Sequence, residues 1–357
     1  MKESILVTSA GGPAAENVIK NLKLIKDRPK IYGIDIDPWM LALSSADRVF
    51  QVERADSPKY IENLQDLIKC LNVSLLIPQS DVEVNTVSIM RKKLNTKIIL
   101  PRDEVIETCQ DKGALYEFLQ LQNIPIPPFK NPTKDDIRAL SYESPNYGVW
   151  SPSQWKYPCW VRARKGAGGN KGFVCRDWRD FRNMAEFYRG REDVDWQMVK
   201  LLDGLNYSWT SLWNNGELVT SVLKERLKWV YNRIGTTAVQ RTVFNSQINE
   251  YCESIIKSFT KFDTSLTGIM MIDLKQDLDD KKFYITEINA GRLGTVNYFY
   301  GYTSRIIYGD NRLNFPWLLW LISKGRNLPE LSKFNAFPKN LYWIRHIDMG
   351  YKLIDNA

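Results

Sequence analysis

Three oxygen-bearing side chains in the stretch Gly268–Thr295, GIMMIDLKQDLDDKKFYITEINAGRLGT, have the spacing of a hard-metal site. Gly268–Leu274 and Phe283–Ile288 are largely apolar, and the charged segment Gln276–Lys282 between them is turn-prone, which predicts a β-hairpin. With the turn centred near Asp280, Asp273 and Glu287 each lie seven residues from it and fall opposite one another. Glu287 and Asn289 are two apart and so share one face of the second strand. Two carboxylates and an amide oxygen on one face suit Mg²⁺, with Mn²⁺ as the alternative hard cation. Arg292 follows at once, and a cation beside an acidic cluster suggests metal and phosphate together.

A second group lies upstream in PCWVRARKGAGGNKGF, Pro158–Phe173. A strand carries Arg162 and Arg164 on alternate positions and enters a loop with four glycines in the seven positions Gly166–Gly172, flanked by Lys165 and Lys171. Glycines let backbone N–H groups approach phosphate oxygens closely, and the cations balance the charge. No GKS or GKT is present and a strand follows, so this is not a P-loop; a plain hairpin with a basic tip is the simpler alternative. Glu225–Arg241, with Lys224 before it, gathers Arg226, Lys228, Arg233 and Arg241 around Gly235 and reads as a mobile, anion-facing loop. Surface solvation accounts for most of these charges individually.

The elements that must position these groups come in two styles. Over the first hundred residues, strands at Ile5–Thr8, Ile31–Ile36, Leu75–Ile77 and Lys97–Leu100 alternate with helical stretches. Those helices show in Val18, Leu22 and Ile25, in Ile61, Leu64, Ile68 and Leu71, and from Asp81 to about Leu94. Such alternation predicts a parallel, doubly wound sheet. Gly11 and Gly12 with Asp35 suggest dinucleotide binding, but SAGGPAAEN is not GxGxxG, and a turn packing a helix on a strand explains it as well. Gln79–Glu83 sits where open α/β sheets bind ligands, and equally reads as a helix cap by Ser80 or Asp81. Further on, Asp111-Lys112 precedes a helix with Leu115, Phe118 and Leu119, and Ile124–Pro128 is an extended connector. Asn131–Tyr157 gives no clear signal. Hairpin-forming strands then follow at Val194–Leu202, Tyr207–Trp213 and Leu218–Leu223, and an amphipathic helix at Ile248–Phe262 leads into the metal hairpin.

Bulk properties narrow the function classes. A length of 357 residues allows two or three domains, and no apolar run approaches the span of a bilayer, the longest, Phe315–Ile322, reading as a buried helix. The first strand begins too early for a signal peptide. Five scattered cysteines without a CxxC pair predict a reducing, cytoplasmic setting and argue against a disulfide frame or zinc site. His346, near the end of the sequence, is the one histidine, so histidine triads and multi-histidine metal sites are nearly excluded. The net charge of +8 is spread along the chain, which fits an anionic ligand better than nucleic acid.

Together these parts resemble the ATP-grasp enzymes, and among them the small single-chain relatives of the carbamoyl-phosphate synthase large subunit. The resemblance runs over almost the whole chain: ILVTSAGGPAAENVIKNLK and IYGIDID at the start, Asp111-Lys112, Arg162–Gly172, and EINAGRLGT in place of Glu-Ile-Asn-Pro-Arg. It implies an α/β fold, α+β overall. A Rossmann-like domain (1–102) would precede an N-lobe with a glycine-rich flap (103–195) and a C-lobe with the metal hairpin (196–357). It implies that Lys112 and Arg162, with Arg164, hold the ATP phosphates and that Gly166, Gly168 and Gly169 form the flap. Asp273, Glu287 and Asn289 would hold Mg²⁺. Val199–Leu202, hence Lys200, Leu201 and Leu202, would be the adenine hinge, and Asn206 stands where the family usually has a ribose-binding glutamate. Arg162 replaces the commoner lysine, and Ala290-Gly291 replaces proline-arginine, so that Arg292 is displaced by one position.

The implied activity is ATP-dependent carboxylate activation to an acyl phosphate that an amine then attacks. Its partners would be amino-acid-like small molecules rather than nucleic acid or membrane, and its assembly a homodimer. Arg292, Arg226 and Lys228 are the candidates for holding the substrate carboxylate or the transferring phosphoryl group. Two other readings compete: a nucleotide-binding regulatory protein with little turnover, motivated by Asn206 and EINAGR, and an oxidoreductase built on the N-terminal unit.

Overall fold

The structure, a computed structural model, describes residues 3–139, 154–166, 171–189, 194–231, 234–295, 297–346 and 350–355. Five parallel strands, β1 (Ser4–Val7), β2 (Lys30–Asp35), β3 (Arg48–Gln51), β4 (Val73–Ile77) and β5 (Lys97–Ile98), form a sheet in the order β3-β2-β1-β4-β5. Helices α1 (Pro13–Lys23), α2 (Pro38–Leu41), α3 (Lys59–Leu71) and α4 (Asp81–Met90) connect the strands. The order reverses between β1 and β4, so the turns after these two strands line the crevice where such sheets bind ligands. The doubly wound expectation holds, with β3 an addition: Arg48–Gln51 has only two half-buried residues and little sequence signal.

The glycine turn after β1 is built for packing. Asp35 accepts from Gly11 N at 3.0 Å and from Asp37 N at 3.1 Å. A Cβ on Gly11 would lie 2.4 Å from Met40 Cβ. Asp35 is thus spent closing its own loop, which removes the main support for dinucleotide binding there. After β4, Ser80 caps α4 in a capping box with Glu83, and Glu83 also accepts from Thr8 Oγ1 at 2.6 Å and Tyr60 OH at 3.2 Å.

Helices α5 (Asp103–Gln110) and α6 (Lys112–Leu121) lead to a four-stranded sheet of β6 (Phe129–Lys130), β7 (Cys159–Ala163), β8 (Gly172–Cys175) and β9 (Trp196–Lys200), in the order β6-β9-β7-β8. Helices α7 (Lys134–Ala139) and α8 (Trp178–Tyr188) belong to this small lobe. The larger antiparallel sheet holds β10 (Asn206–Asn214), β11 (Glu217–Tyr231), β12 (Ile234–Thr242), β13 (Gly268–Gln276), β14 (Phe283–Ala290), β15 (Leu341–His346) and β16 (Gly350–Asp355), in the order β14-β13-β10-β11-β12-β15-β16. Helices α9 (Ser246–Ser258), α10 (Asn297–Tyr308) and α11 (Phe315–Ser323) complete it.

Alternation along the strands divides this sheet cleanly. Met270, Ile272 and Leu274 of β13 pack with Trp209 and with the α9 stripe Ile248, Cys252, Ile255 and Ile256. Ile269 and Met271 face the other way, with Leu212, Val222, Phe299 and Trp343. The 225–241 segment differs from its expectation. It is not a loop over most of its length but the arms of a hairpin, β11 and β12, paired from Lys224↔Thr242 to Tyr231↔Ile234; Arg233 lies outside the described residues. Its alternate valine, tryptophan and threonine residues favour strand, and the sheet edge supplies partners for its backbone.

Candidate functional site

The hairpin register pairs Asp273 with Glu287 and Met271 with Asn289. The row continues across the sheet, since Ser208 pairs with Asp273 and Lys224 with Ser208. One face therefore carries Glu287, Asp273, Ser208 and Lys224 side by side, with Asn289 two residues from Glu287.

Each candidate metal ligand already has a cation against it. Arg226 Nη2 donates to Asp273 Oδ1 at 2.5 Å, and Lys112 Nζ lies 3.8 Å from Glu287 Oε2. Arg292 Nη2 donates to Asn289 Oδ1, and its Nε lies 2.5 Å from Asp81 Oδ1. Burial, reinforced by Glu287, pushes the Asp273 carboxyl above its ordinary range against the pull of Arg226. Burial works the same way on Glu287, but Lys112, Arg162, Arg226 and Arg292 together outweigh it and hold that carboxyl low. One carboxylate of the pair is thus kept firmly charged while its neighbour leans towards the proton, as like charges packed together must. Burial lowers the Lys112 ammonium, with Glu287 opposing.

Lys112 starts α6, whose N-cap Asp111 accepts from Gly113 N and Ala114 N at 2.9 and 3.0 Å. Lys112 Nζ also donates to Gly166 O at 2.8 Å, joining α6 to the first residue of the glycine loop. Arg162 is buried on β7, its Nε donating to Gln197 Oε1 at 2.9 Å and its guanidinium 5.4 Å from the centre of the Tyr116 ring. Its Nη2 is buried without an acceptor. A charged donor left unpaired in the interior is costly unless an anion completes it. That orphan, and three oxygens each faced by a protein cation, fit a phosphate-bearing ligand with a hard divalent ion. Among the described residues no three His, Cys, Asp or Glu side chains gather as a metal site, so any such ion would rest on two carboxylates and an amide.

Other expected residues are placed differently. Arg164 does not sit beside Arg162 but grips Asp111 with two bonds of 2.8 and 3.1 Å, folded over Gly113, where a Cβ would come 2.3 Å from its Nε. Lys200 turns its side chain to Asp277 and Asp279, at 2.5 and 2.7 Å, which raise its ammonium further. Leu201 and Leu202 follow β9, half-buried and buried. Asn206 Nδ2 donates back to Gly204 O at 3.2 Å, and across the ladder Asn206 pairs with Arg226. Lys228 is exposed on β11. Gly168 and Gly169 lie outside the described residues.

The family of PylC-like N-terminal domains matches residues 5–100. No curated protein matches the sequence. Among solved structures, the biotin carboxylase domain of the Hydrogenobacter thermophilus 2-oxoglutarate carboxylase, in complex with MgADP, ADP and bicarbonate, superposes with a TM-score of 0.69 at 17% identity, over 96% of this chain and 74% of that one. An L-amino acid ligase from Bacillus licheniformis gives 0.67 at 13% identity, over 96% and 79%. An N5-carboxyaminoimidazole synthetase from Staphylococcus aureus with ADP gives 0.67 at 16%, over 96% and 81%. The fold is the one these three enzymes share.

Two residues near this site were not singled out by sequence reasoning. Lys224 was expected among surface cations, yet it is fully buried beneath the carboxylate row, donating to Thr210 Oγ1 at 3.2 Å and to Tyr300 OH. Burial, with help from nearby Arg226 and against Asp273, lowers its ammonium to about 7. Strand alternation with Ser208 and Asp273 could have found it had the strand at Leu218–Leu223 been carried one residue further. Asp81 was noted as a helix cap, but its contact with Arg292, 211 positions away, left no local signal.

Proposed function

We propose that this protein is an ATP-dependent carboxylate–amine ligase. The single observation that carries the reading is the register-matched Asp273–Glu287 pair with Asn289, ringed by Lys112, Arg162, Arg226 and Arg292. Phosphoryl transfer needs positioning and charge neutralisation more than covalent help, and a histidine-free site of this kind supplies both. Bound Mg²⁺ would neutralise charge on the triphosphate and orient it. Asp273, Glu287 and Asn289 would hold it, and Lys112 with the unpaired Nη2 of Arg162 would take phosphate oxygens. A substrate carboxylate oxygen attacks the γ-phosphorus, the bond to ADP breaks, and an acyl phosphate forms. Arg226 and Arg292 neutralise that group while an amine attacks its carbonyl carbon; phosphate leaves with the electron pair and the amine loses a proton.

The ligases among the structural relatives support this reaction class, and the L-amino acid ligase among them supports amino-acid-like substrates. The folded-back Asn206 favours a second reading, a nucleotide-binding protein with little turnover. The two are separated by measuring phosphate release with Mg·ATP over amino acids offered singly and in pairs. Release that rises at least severalfold with a pair is expected; Mg·ATP binding with no release over background supports the second reading, and no Mg·ATP binding in calorimetry overturns both.

A further inference from the structure

The loop after β14 begins with Gly291 at φ 78°, donating its N–H to Ile269 O at 2.8 Å. A Cβ there would lie 2.6 Å from Leu100 Cδ2 and 3.3 Å from Val84 Cγ1, so only glycine lets the chain press this closely on the N-terminal domain. The turn brings the next residue, Arg292, between two acceptors. Its Nη2 donates to Asn289 Oδ1, while Nε and Nη2 lie 2.5 and 3.4 Å from the two oxygens of Asp81.

Asp81 is a firm anchor. It is the first residue of α4, inside the Ser80/Glu83 capping box, and its carbonyl accepts from Gln110 Nε2 at 2.8 Å. Glu83 in turn is tied to β1 through Thr8 and to α3 through Tyr60. Asp81 also sits close enough to contribute to the field at Lys112. The two holders of Arg292 differ in kind. Asn289 offers a neutral oxygen that a divalent ion would claim, and a guanidinium does not share such an oxygen with a divalent ion. Asp81 offers a charge, which stays.

Resting on the ligase reading above, we propose that Asp81 is a positioning residue: it keeps the Arg292 guanidinium aimed at the γ-phosphoryl group when the Asn289 oxygen turns to the metal. The N-terminal domain then supplies part of the phosphoryl-transfer site rather than only a wall beside it. The loss would appear with a γ-phosphoryl group present and not without one.

The test is calorimetric binding of Mg·ADP and of Mg²⁺ with the non-hydrolysable analogue adenylyl imidodiphosphate, to the full chain and to Asp81→Asn, Arg292→Ala and the double variant. Each single variant is expected to weaken the triphosphate analogue about tenfold, as for a charge-assisted contact, and to leave Mg·ADP within about twofold. The double variant is expected to match Arg292→Ala, because Asp81 acts only through that side chain. A merely structural Asp81 would instead weaken both nucleotides and add its loss to that of Arg292→Ala. Either that additivity or wild-type binding by Asp81→Asn overturns the proposal alone. Failure of the wild-type chain to bind either nucleotide overturns the ligase reading, and this inference with it.

Discussion

The N-terminal sheet and the small lobe both flank the large sheet, and they are attached to it by different means. The N-terminal domain is welded on through buried apolar side chains. Val18, Ile19 and Leu22 share one core with Phe299, Phe315 and Leu318, and Leu6, Val84 and Leu100 share another with Ile272 and Ile288. Buried polar stitches reinforce the seam, as where Asn21 accepts from Gly301 N at 3.1 Å and from Asn314 Nδ2 through its carbonyl at 2.7 Å. The small lobe instead has a core of its own, with Cys159, Val161, Phe181, Trp196 and Met198 at its centre, and it reaches the shared core through Val199 and half-buried Phe129. Much of its border is polar: Arg164 on Asp111, Gln197 Nε2 on Lys112 O at 2.9 Å, and Lys200 on Asp277 and Asp279. A unit held by fewer shared apolar contacts and more by charges and hydrogen bonds opens at lower free energy than one held by a shared core. The carboxylate row and Asp81 therefore belong to one rigid body, while Arg162 and the glycine loop ride on the part that gives way first.

The sharpest way to break this division is through chemistry. Asp273→Asn and Glu287→Gln remove charge from the rigid body, and each is expected to lower phosphate release by about a thousandfold or more while the circular dichroism spectrum stays that of the wild type. Arg162→Met acts from the small lobe and is expected to cost about tenfold in Mg·ATP affinity, read by calorimetry. If Arg162→Met abolishes turnover as completely as Asp273→Asn, the small lobe is as much a part of the fixed site as the hairpin. Stability sharpens the same contrast. Phe181→Ala and Leu100→Ala each create a cavity costing about 2–5 kcal/mol. In hydrogen exchange, Phe181→Ala is expected to expose β7–β9 and spare β10–β14, whereas Leu100→Ala lowers protection in the N-terminal and large sheets together. Equal loss everywhere in both variants would make the chain one cooperative unit.

What was legible in the sequence follows the same line. The N-terminal sheet could be read because its strands and helices alternate with full apolar periods, and the hairpin because seven residues on either side of Asp280 put Asp273 opposite Glu287. Both are local patterns. Leu218–Leu223 was read as strand, but the rest of β11 and β12 was read as a loop because Lys224, Arg226, Lys228 and Arg241 mask the alternation, and strand is recovered there only when β10 and β15 supply partners. Arg164 could not be told from Arg162 by spacing; what separates them is Asp111, reached through the fold. Arg292 was legible as a cation and not as a bridge, since Asp81 and the turn at Gly291 are needed to place it.

Lys224 extends the comparison to the interior of the rigid body, where a buried cation should be a burden that pH reveals. Its ammonium is lowered from 10.5 to about 7, so between those values the unfolded chain binds a proton that the folded chain does not. Folding is then favoured by rising pH across that window, and the penalty is complete below it. Lys224→Met keeps the shape and leaves Tyr300 OH donating to Thr210 Oγ1 at 2.9 Å. It is expected to stabilise the protein by a few kcal/mol at neutral pH, with the gain shrinking as pH rises towards 10.5 in denaturant titrations. A gain that does not change with pH would mean that Lys224 is charged in the folded state.

The smallest effect is expected at the polar border. Lys200 reaches from β9 to the turn of the hairpin, where Asp279 is exposed and buried Asp277 keeps the Asp279 N–H as a second donor; such contacts contribute about 1 kcal/mol and weaken with salt. Lys200→Ala should therefore leave the global unfolding midpoint almost unchanged. Its consequence should be local: faster exchange over Val199–Leu202 relative to β10, and a difference from wild type that fades as salt is raised. Because this connection joins β9 to β10 of the large sheet, loss of protection in β13 and β14 as large as that in β9 would show that the small lobe is coupled to the hairpin by more than this charge contact, and the division between a welded domain and a loosely held lobe would fail at its weakest point.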